Sequence, residues 1–564
     1  MSSAMDKEFV FDVHEVRDLK DMMRITVRDN GPGNAFLSKE DGVYTGITYN
    51  ELHRDMEGLG TALLEAGYKD AFIGVMGENS YAWCLTYLAV VNGTGVIVPL
   101  DKELDAAEML YLAEQSGMQV LVYSSKQKEK AEYLKEKSST ISLFLSMEEE
   151  LPAFMEKGKN AVESGNRMYL DMGIDPEKLS ILLYTSGTTG MAKGVMLCHR
   201  NILTELYGIC KIVDLDRKDT LLSILPIHHT YECTCGFLAT MYKGGTLAFC
   251  EGIRYIAQNI KEVRPTKIVL VPLILEGIFE KIKKKAEATT VKKILFRLMV
   301  SAGSLLKNET RKKLFHKVHD VFGGRLEQVI CGASALNPKV SKALENMGLQ
   351  ILQGYGLTEC APIATGNRQF ANKHGSIGLP LPGVEVAIHK PDEKGIGEII
   401  IRGGNVMIGY YNNPEATAST LRNGWLHTGD VGYVDKDGFF YITGRIKNLI
   451  VTKTGKNIFP EELEAKLNES PFILESLVSG SEEDITKEDT VKAHIVPRME
   501  AIKEKLNAIK PSLEEIRRVI EEEVQRINRK LPIFKRIQKI HVQDEEFEKT
   551  TTKKIKRHKL RKEN

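Results

Sequence analysis

No stretch of this 564-residue sequence is long and apolar enough to span a bilayer. The most apolar run, Leu85 to Leu100, is short for a span and is broken by Asn92, Gly93, Thr94 and Gly95. The opening MSSAMDKEFVFDVHEVRD brings acids early and has no long apolar core, so no secretory signal is expected. Charge of one sign is also missing: 77 Lys and Arg face 76 Asp and Glu, leaving +1. Bulk charge therefore implies no nucleic-acid partner. Cysteine is sparse, with eight in the chain: Cys84, Cys198, Cys210, Cys233, Cys235, Cys250, Cys331 and Cys360. None has the paired spacing of a zinc site or redox motif, and one residue between Cys233 and Cys235 makes a poor chelate. They are expected to be reduced structural thiols of a cytoplasmic protein. Internal repeats and low-complexity tracts are absent too, although the last twelve residues hold seven Lys or Arg.

What is present is ordinary globular composition, 42% hydrophobic and 27% charged. The length exceeds what one core usually organises, so two or more domains are expected. Leu52, Met56, Leu59 and Leu63 recur at helical spacing from Tyr49 onward. Ala71 to Met76 reads as a buried strand, Tyr81 to Val91 as a helix and Gly95 to Leu100 as a second strand. Ala106 to Ser116 and Val120 to Tyr123 repeat the pattern. This alternation predicts an α/β fold with a mostly parallel sheet covered on both faces. From about residue 375 to 444, Gly, Pro and short alternating strands predict a β-rich subdomain. Gly397 to Arg402 and Gly432 to Ile442 are its strands, the second holding the turn signal Asp435-Lys436-Asp437-Gly438. Beyond it the chain is mixed and highly charged, with a helix expected over Leu513 to Lys530. The expected division is 1–446 and 447–564.

The strongest chemical signal is Tyr184-Thr-Ser-Gly-Thr-Thr-Gly-Met-Ala-Lys-Gly194. An apolar run, Leu179 to Leu183, leads into it as a buried strand. The loop offers three glycines and four hydroxyls within eleven residues. Glycines let backbone N–H groups converge on an anion, hydroxyls add donors to phosphate oxygens, and Lys193 adds charge. It is not the common P-loop, because Lys193 precedes Gly194 and Val195 follows.

This segment resembles the signature of the adenylate-forming superfamily, which includes acyl-CoA synthetases, aryl-CoA ligases, peptide-synthetase adenylation domains and beetle luciferases. The resemblance continues in order along nearly the whole chain. Tyr355-Gly-Leu-Thr-Glu359 is similar to the family's adenine and magnesium motif, and Gly424-Trp-Leu-His-Thr-Gly-Asp430 to its ribose motif. Gly444-Arg-Ile-Lys-Asn-Leu-Ile450 looks like its hinge, and Lys549-Thr-Thr-Thr-Lys-Lys-Ile-Lys556 sits where the family carries a C-terminal catalytic lysine.

The resemblance implies a role for each matched residue. Thr185, Ser186, Gly187, Thr188, Thr189, Gly190 and Lys193 would hold the ATP phosphates. Tyr355 and Gly356 would flank adenine, with the Tyr355 ring as a stacking surface. Thr358 would hydrogen-bond the α-phosphate. Glu359, a hard oxygen ligand, would hold magnesium together with Thr185. Asp430 would accept from the ribose hydroxyls and Arg445 would grip ribose or phosphate. Gly332, Ala333 and Ser334, after the expected strand Arg325 to Cys331, resemble the adenine-side loop. His229, in Leu225-Pro-Ile-His-His-Thr-Tyr231, would stand beside the acyl pocket, ahead of His228. Lys554 would be the catalytic lysine, with Lys553 as the neighbouring register, and Lys447 the hinge of a small mobile α+β C-terminal domain. Three departures from the family pattern stand out. Met191-Ala192 replaces the usual x-Pro before the loop lysine, Lys553 replaces a glycine, and Asn457 occupies the place of an Arg that touches ATP.

The expected function is ATP-dependent activation of a carboxylic acid, a medium- to long-chain fatty acid, through acyl-AMP to an acyl-CoA thioester. AMP and pyrophosphate are released, and ATP, Mg2+ and coenzyme A are the cofactor and co-substrates. Features similar to the long-chain branch are Leu-Pro-Ile-His-His-Thr-Tyr-Glu232, Gly455-Lys-Asn-Ile-Phe-Pro-Glu-Glu462 and the Thr-Thr-Thr-Lys-Lys-Ile-Lys tail. The alternatives are a ligase loading an acyl carrier protein, an aryl-acid–CoA ligase, and a catalytically dead nucleotide-binding protein. A cytoplasmic location is expected, with peripheral contact at the inner membrane face left open. The basic tail from Lys553 to Lys562 is read as solvated or CoA-facing rather than as a membrane patch.

Overall fold

The computed structural model describes residues 11–185, 192–287, 289–452, 456–480 and 491–549, together with Ile555 and Arg557. Lys554, Lys553 and the loop residues Ser186, Gly187, Thr188, Thr189 and Gly190 lie outside the described residues. The chain forms two compact units: Met1–Val386 with Ile401–Leu426, and Ala387–Ile400 with His427–Asn564.

Among the described residues, the first unit carries a seven-stranded and a nine-stranded sheet. In the seven-stranded sheet Ala71–Met76 lies between Gly95–Leu100 and Val120–Tyr123, parallel to both. These are the strands the sequence pattern predicts. Leu179–Thr185 joins Gly95–Leu100 in parallel, then turns back antiparallel into Lys193–Cys198, placing Thr185 opposite Lys193. The apolar run therefore does feed the phosphate-type loop from inside a sheet. In the nine-stranded sheet the parallel centre runs Thr220–Ser223, Lys267–Leu270, Gln328–Cys331, Gln350–Gly356. Strands and helices alternate because each parallel return needs a crossover. The α/β expectation is met.

The helix Tyr49–Glu65 starts at a capping box in which Thr48 and Glu51 satisfy each other's backbone N–H. It packs on Glu150–Glu163 through two facing glycines. A Cβ on Gly158 would stand 1.9 Å from the Gly58 carbonyl oxygen. Only hydrogen at both positions permits that approach.

The second unit has its own core, including Ile458, Leu463, Ile495, Ile520 and Val524. Ile473–Gly480 pairs antiparallel with Val491–Pro497, which pairs parallel with Lys539–Val542. The long helix is Leu513–Asn528, begun by a Ser512–Glu515 capping box. Between residues 384 and 445 the chain is a succession of short strands with one short helix, and the hairpin Asp430–Arg445 turns at the Asp-Lys-Asp-Gly sequence. No helix among the described residues is long and apolar enough to cross a membrane.

Candidate active site

The first unit brings Lys193, at the end of the glycine-rich loop, and the acidic motif to the same residue, Tyr410. Thr185 ends one strand and Lys193 begins the next. The short strand Gly409–Tyr410 docks on Lys193–Cys198, with Tyr411 N–H donating to the Gly194 carbonyl at 2.7 Å. This puts the Tyr410 ring 5.0 Å from the Lys193 ammonium. The Tyr410 hydroxyl donates to Glu359 Oε1 at 2.7 Å. Burial, and then the Glu359 charge, push the Tyr410 phenol up, so it stays a donor at neutral pH. Glu359 sits in the one-turn helix Thr358–Cys360, half-buried, and its carbonyl accepts from Met407 N–H at 2.9 Å. Lys193, Tyr410 and Glu359 thus form one charged array.

That array rests on a second, buried layer. Glu205 accepts from Ile363 N–H at 3.0 Å and from Asn405 Nδ2 at 2.8 Å. Asn405 also donates to the Cys360 carbonyl. Burial pushes the Glu205 carboxyl well above the usual range. The network pins the turn that carries Thr358 and Glu359.

Tyr355 is buried in the strand Gln350–Gly356. The next residue has to be glycine, because a Cβ on Gly356 would meet the Pro362 carbonyl oxygen at 1.7 Å. Gly332 follows Gln328–Cys331, and a Cβ there would stand 2.9 Å from the Tyr231 ring. Ala333 holds φ at 71°, a left-handed conformation that costs a non-glycine residue energy and marks functional loops. Ser334 is exposed.

His229 is half-buried and His228 buried, with ring centroids 4.2 Å apart. His228 Nε2 lies 3.5 Å from Asp101 Oδ1. A small apolar cavity, about 40 Å³, lies in the same unit. Tyr231, Ile212, Leu352, Gly354 and Ile363 are among its walls. Tyr231 is two residues beyond His229, and Gly354 immediately precedes Tyr355. One strand thus walls the cavity and leads into the Tyr355–Glu359 motif.

In the second unit Asp430 and Arg445 face each other across the hairpin, with Arg445 Nε donating to Asp430 Oδ1 at 2.6 Å. Asp430 is buried, and its N–H donates to Thr428 Oγ1 at 3.0 Å. Lys447 lies exposed in the one-turn helix Ile446–Asn448. Asn457 is exposed in the strand Asn457–Ile458. The residues flanking the Lys554 position are anchored. Lys549 pairs with Glu475 and Glu546, Ile555 packs with Leu477, Val496 and Phe547, and Arg557 reaches Glu464 and the Val478 carbonyl.

Residues 27–411 match the family described as AMP-binding enzyme. The chain belongs to that family. Long-chain-fatty-acid–CoA ligase 6 of Mus musculus is 29% identical over 510 residues, 84% of this chain and 72% of that protein. Long-chain-fatty-acid–CoA ligase 5 of Rattus norvegicus is 29% identical over 574 residues, 93% and 83% of the two chains. Among solved structures, the anthranilate CoA ligase AuaEII with anthranoyl-AMP matches with a TM-score of 0.77 at 21% identity, covering 98% of both chains. ATP-bound MatB from Rhodopseudomonas palustris matches with 0.76 at 22% identity, covering 97% and 99%. The structural likenesses establish the shared fold.

Lys193, Tyr355, Thr358 and Glu359 lie in one unit, and Asp430 and Arg445 in the other. Sequence reading misses Tyr410, Glu205, Asn405 and Asp101. Tyr410 and Asn405 lie in a stretch with no motif of its own; the pairing of Gly409–Tyr410 with Lys193–Cys198 reveals the first, and the hydrogen bonds to Glu205 and the Cys360 carbonyl reveal the second.

Proposed function

We propose that this protein is a fatty acid–CoA ligase that works through an acyl-adenylate. One strand carries the reading: Gln350–Gly356 walls the apolar cavity at Gly354 and leads into the nucleotide motif at Tyr355, Thr358 and Glu359. The cavity's apolar lining suits a hydrocarbon chain rather than a polar group, and Gly354 sets that lining one residue from the nucleotide motif. The relatives named as long-chain-fatty-acid–CoA ligases support the same substrate class.

The carboxylate attacks the α-phosphorus of ATP. The bond to the bridging oxygen breaks and pyrophosphate leaves. A carboxylate is already nucleophilic, so this step needs positioning and charge cancellation rather than a base. Lys193 and the loop after Thr185 take the phosphates, and Thr358 donates to the α-phosphate. The Glu359 carboxylate and Thr185 hydroxyl fit a hard divalent cation, which prefers oxygen ligands, and Tyr410 fixes the carboxylate for it. Magnesium bound there would supply positive charge against the departing phosphates. Asp430 takes the ribose hydroxyls, and Lys554 bridges the carboxylate and the α-phosphate. In the second step the coenzyme A thiolate attacks the acyl carbon, AMP leaves and the thioester forms. Lys447 is our proposed hinge between the two steps, dividing 1–446 from 447–564 as functional domains. The reaction draws on cytoplasmic ATP and CoA.

The test is acid-dependent ATP–pyrophosphate exchange with short, medium, long-chain and aromatic acids, repeated with coenzyme A to follow AMP release. Exchange strongest with medium- or long-chain acids, and AMP release on adding CoA, is expected. Exchange with aromatic acids alone would overturn the substrate. AMP release requiring a carrier protein would overturn the acceptor, and no exchange at all would leave a nucleotide-binding protein.

A further inference from the structure

The helix Thr290–Gly303, sequence TVKKILFRLMVSAG, is apolar on two faces but covered on one. Phe296, Met299 and Val300 pack against the core of the first unit. Gly303 abuts the neighbouring helix so closely that a Cβ would meet the Asn346 carbonyl oxygen at 2.2 Å. Val291, Ile294, Leu295 and Leu298 recur at the i, i+3, i+4, i+7 spacing of a single helical face. That face points to solvent: their exposures are 76%, 56%, 55% and 63%, and Leu305 just beyond the helix is 89% exposed. Four large aliphatic side chains on one exposed stripe are not scattered surface residues; such patches mark interaction sites.

The charge around the stripe selects the partner. Between residues 281 and 298 there are seven basic residues and one acid, Glu287. Lys283, Lys284 and Lys285 close the last turn of Pro272–Ala286, and Lys292 and Lys293 open the next helix. A protein groove would have to bury this lysine collar. A second copy would bring two such collars face to face. A lipid surface accepts both features at once: aliphatic side chains enter the acyl boundary while lysine stems lie along it with their ammonium groups at the phosphates. The helix is 14 residues, about 21 Å at 1.5 Å per residue, which suits lying on a bilayer rather than crossing it. We propose that Thr290–Gly303 and its lysine collar dock the protein peripherally on an anionic membrane. This rests on the surface alone and not on which acid the protein activates.

The full chain is mixed with vesicles of phosphatidylcholine, with and without 30% phosphatidylglycerol, and sedimented at low and high salt. Binding to the anionic vesicles that weakens with salt is expected. The triple substitution Ile294→Ser, Leu295→Ser, Leu298→Ser touches no packed face and should lower vesicle affinity roughly tenfold or more. Lys292→Glu with Lys293→Glu should lower it several-fold, and only on anionic vesicles. Circular dichroism and pyrophosphate exchange with a short, water-soluble acid should be unchanged in both variants. No vesicle binding overturns the proposal, as does binding that survives the triple substitution. Binding lost instead on deleting Lys559 to Asn564 would place the membrane contact in the tail and also overturn it. A dimer seen by light scattering and abolished by the triple variant, without vesicle binding, would overturn it by making the occupant a second copy.

Discussion

Glu232 lies fully buried in the segment Tyr231–Leu238, where its Oε1 accepts from Ser223 Oγ at 2.6 Å and its Oε2 has no hydrogen-bond partner among the described residues. Burial pushes its pKa up to about 8. The folded protein therefore holds a proton that the unfolded chain releases near pH 4.5, so stability falls as pH rises from about 4.5 to about 8 and levels off above. A tenfold change in proton affinity is worth about 1.4 kcal/mol, which makes the loss of order a few kcal/mol. Glu232→Gln keeps the shape and removes the titration. Thermal melts of both proteins across pH 5 to 8 should show a flatter profile and a higher Tm at pH 8 for the variant. Parallel profiles would mean Glu232 is ionised in the fold. At this scale the sequence suggests a chemistry where a residue's neighbours form a motif, as for Glu359 after Gly-Leu-Thr and Asp430 after Thr-Gly. Glu232 and Glu205 are not, because their burial and partners come from elsewhere; Asn405, which satisfies Glu205, is 200 residues away.

The elements are legible where periodicity and end signals agree. Ala71–Met76, Gly95–Leu100, Ala106–Ser116 and Val120–Tyr123 form with the expected bounds. The helix begun at Tyr81 ends at Ala89 and the chain continues through Val90–Thr94 with a positive φ of 157° at Gly93. The strand expected from Arg325 begins at Gln328. The helix Thr290–Gly303 escapes sequence reading because Phe296, Met299 and Val300 add a second apolar face beside the stripe Val291, Ile294, Leu295 and Leu298, and the one-sided pattern of a helix lying on a core is lost. Close helix contacts are equally silent, since a glycine inside a helix reads as a weakness until its neighbour is known. Gly158 is such a case. Gly158→Ala forces a methyl group against the Gly58 carbonyl, and overpacking of this kind costs about 1–3 kcal/mol. Gly173→Ala is the control, because a Cβ there meets nothing within 4 Å. Melting should show a lowered Tm for Gly158→Ala and little change for Gly173→Ala. Equal Tm values would mean the two helices separate to admit the methyl group at no cost.

At the scale of the whole molecule, two units with separate cores carry different parts of one proposed reaction. The first holds Thr185, Lys193, Thr358, Glu359 and the cavity; the second holds Asp430, Arg445 and the anchored residues Lys549, Ile555 and Arg557. Five motifs in a fixed order make the family legible across this division, since motif order survives whatever lies between. The chemistry assigned to Lys554 makes the division testable. A positive charge bridging the incoming carboxylate and the α-phosphate matters while pyrophosphate leaves, and not when a thiolate attacks an adenylate already made. Lys554→Ala should therefore slow acyl-adenylate formation roughly 10²-fold or more, the scale of losing a preorganised charge donor. Thioester formation from supplied acyl-adenylate and coenzyme A should fall far less. The two half-reactions are measured separately, by pyrophosphate release and by thioester yield. Lys549 and Arg557 keep their partners on the sheet of the second unit, so the substitution leaves the flanks of the segment in place. Equal loss in both half-reactions would remove Lys554 from the first step, and a larger effect of Lys553→Ala would shift the assignment by one residue.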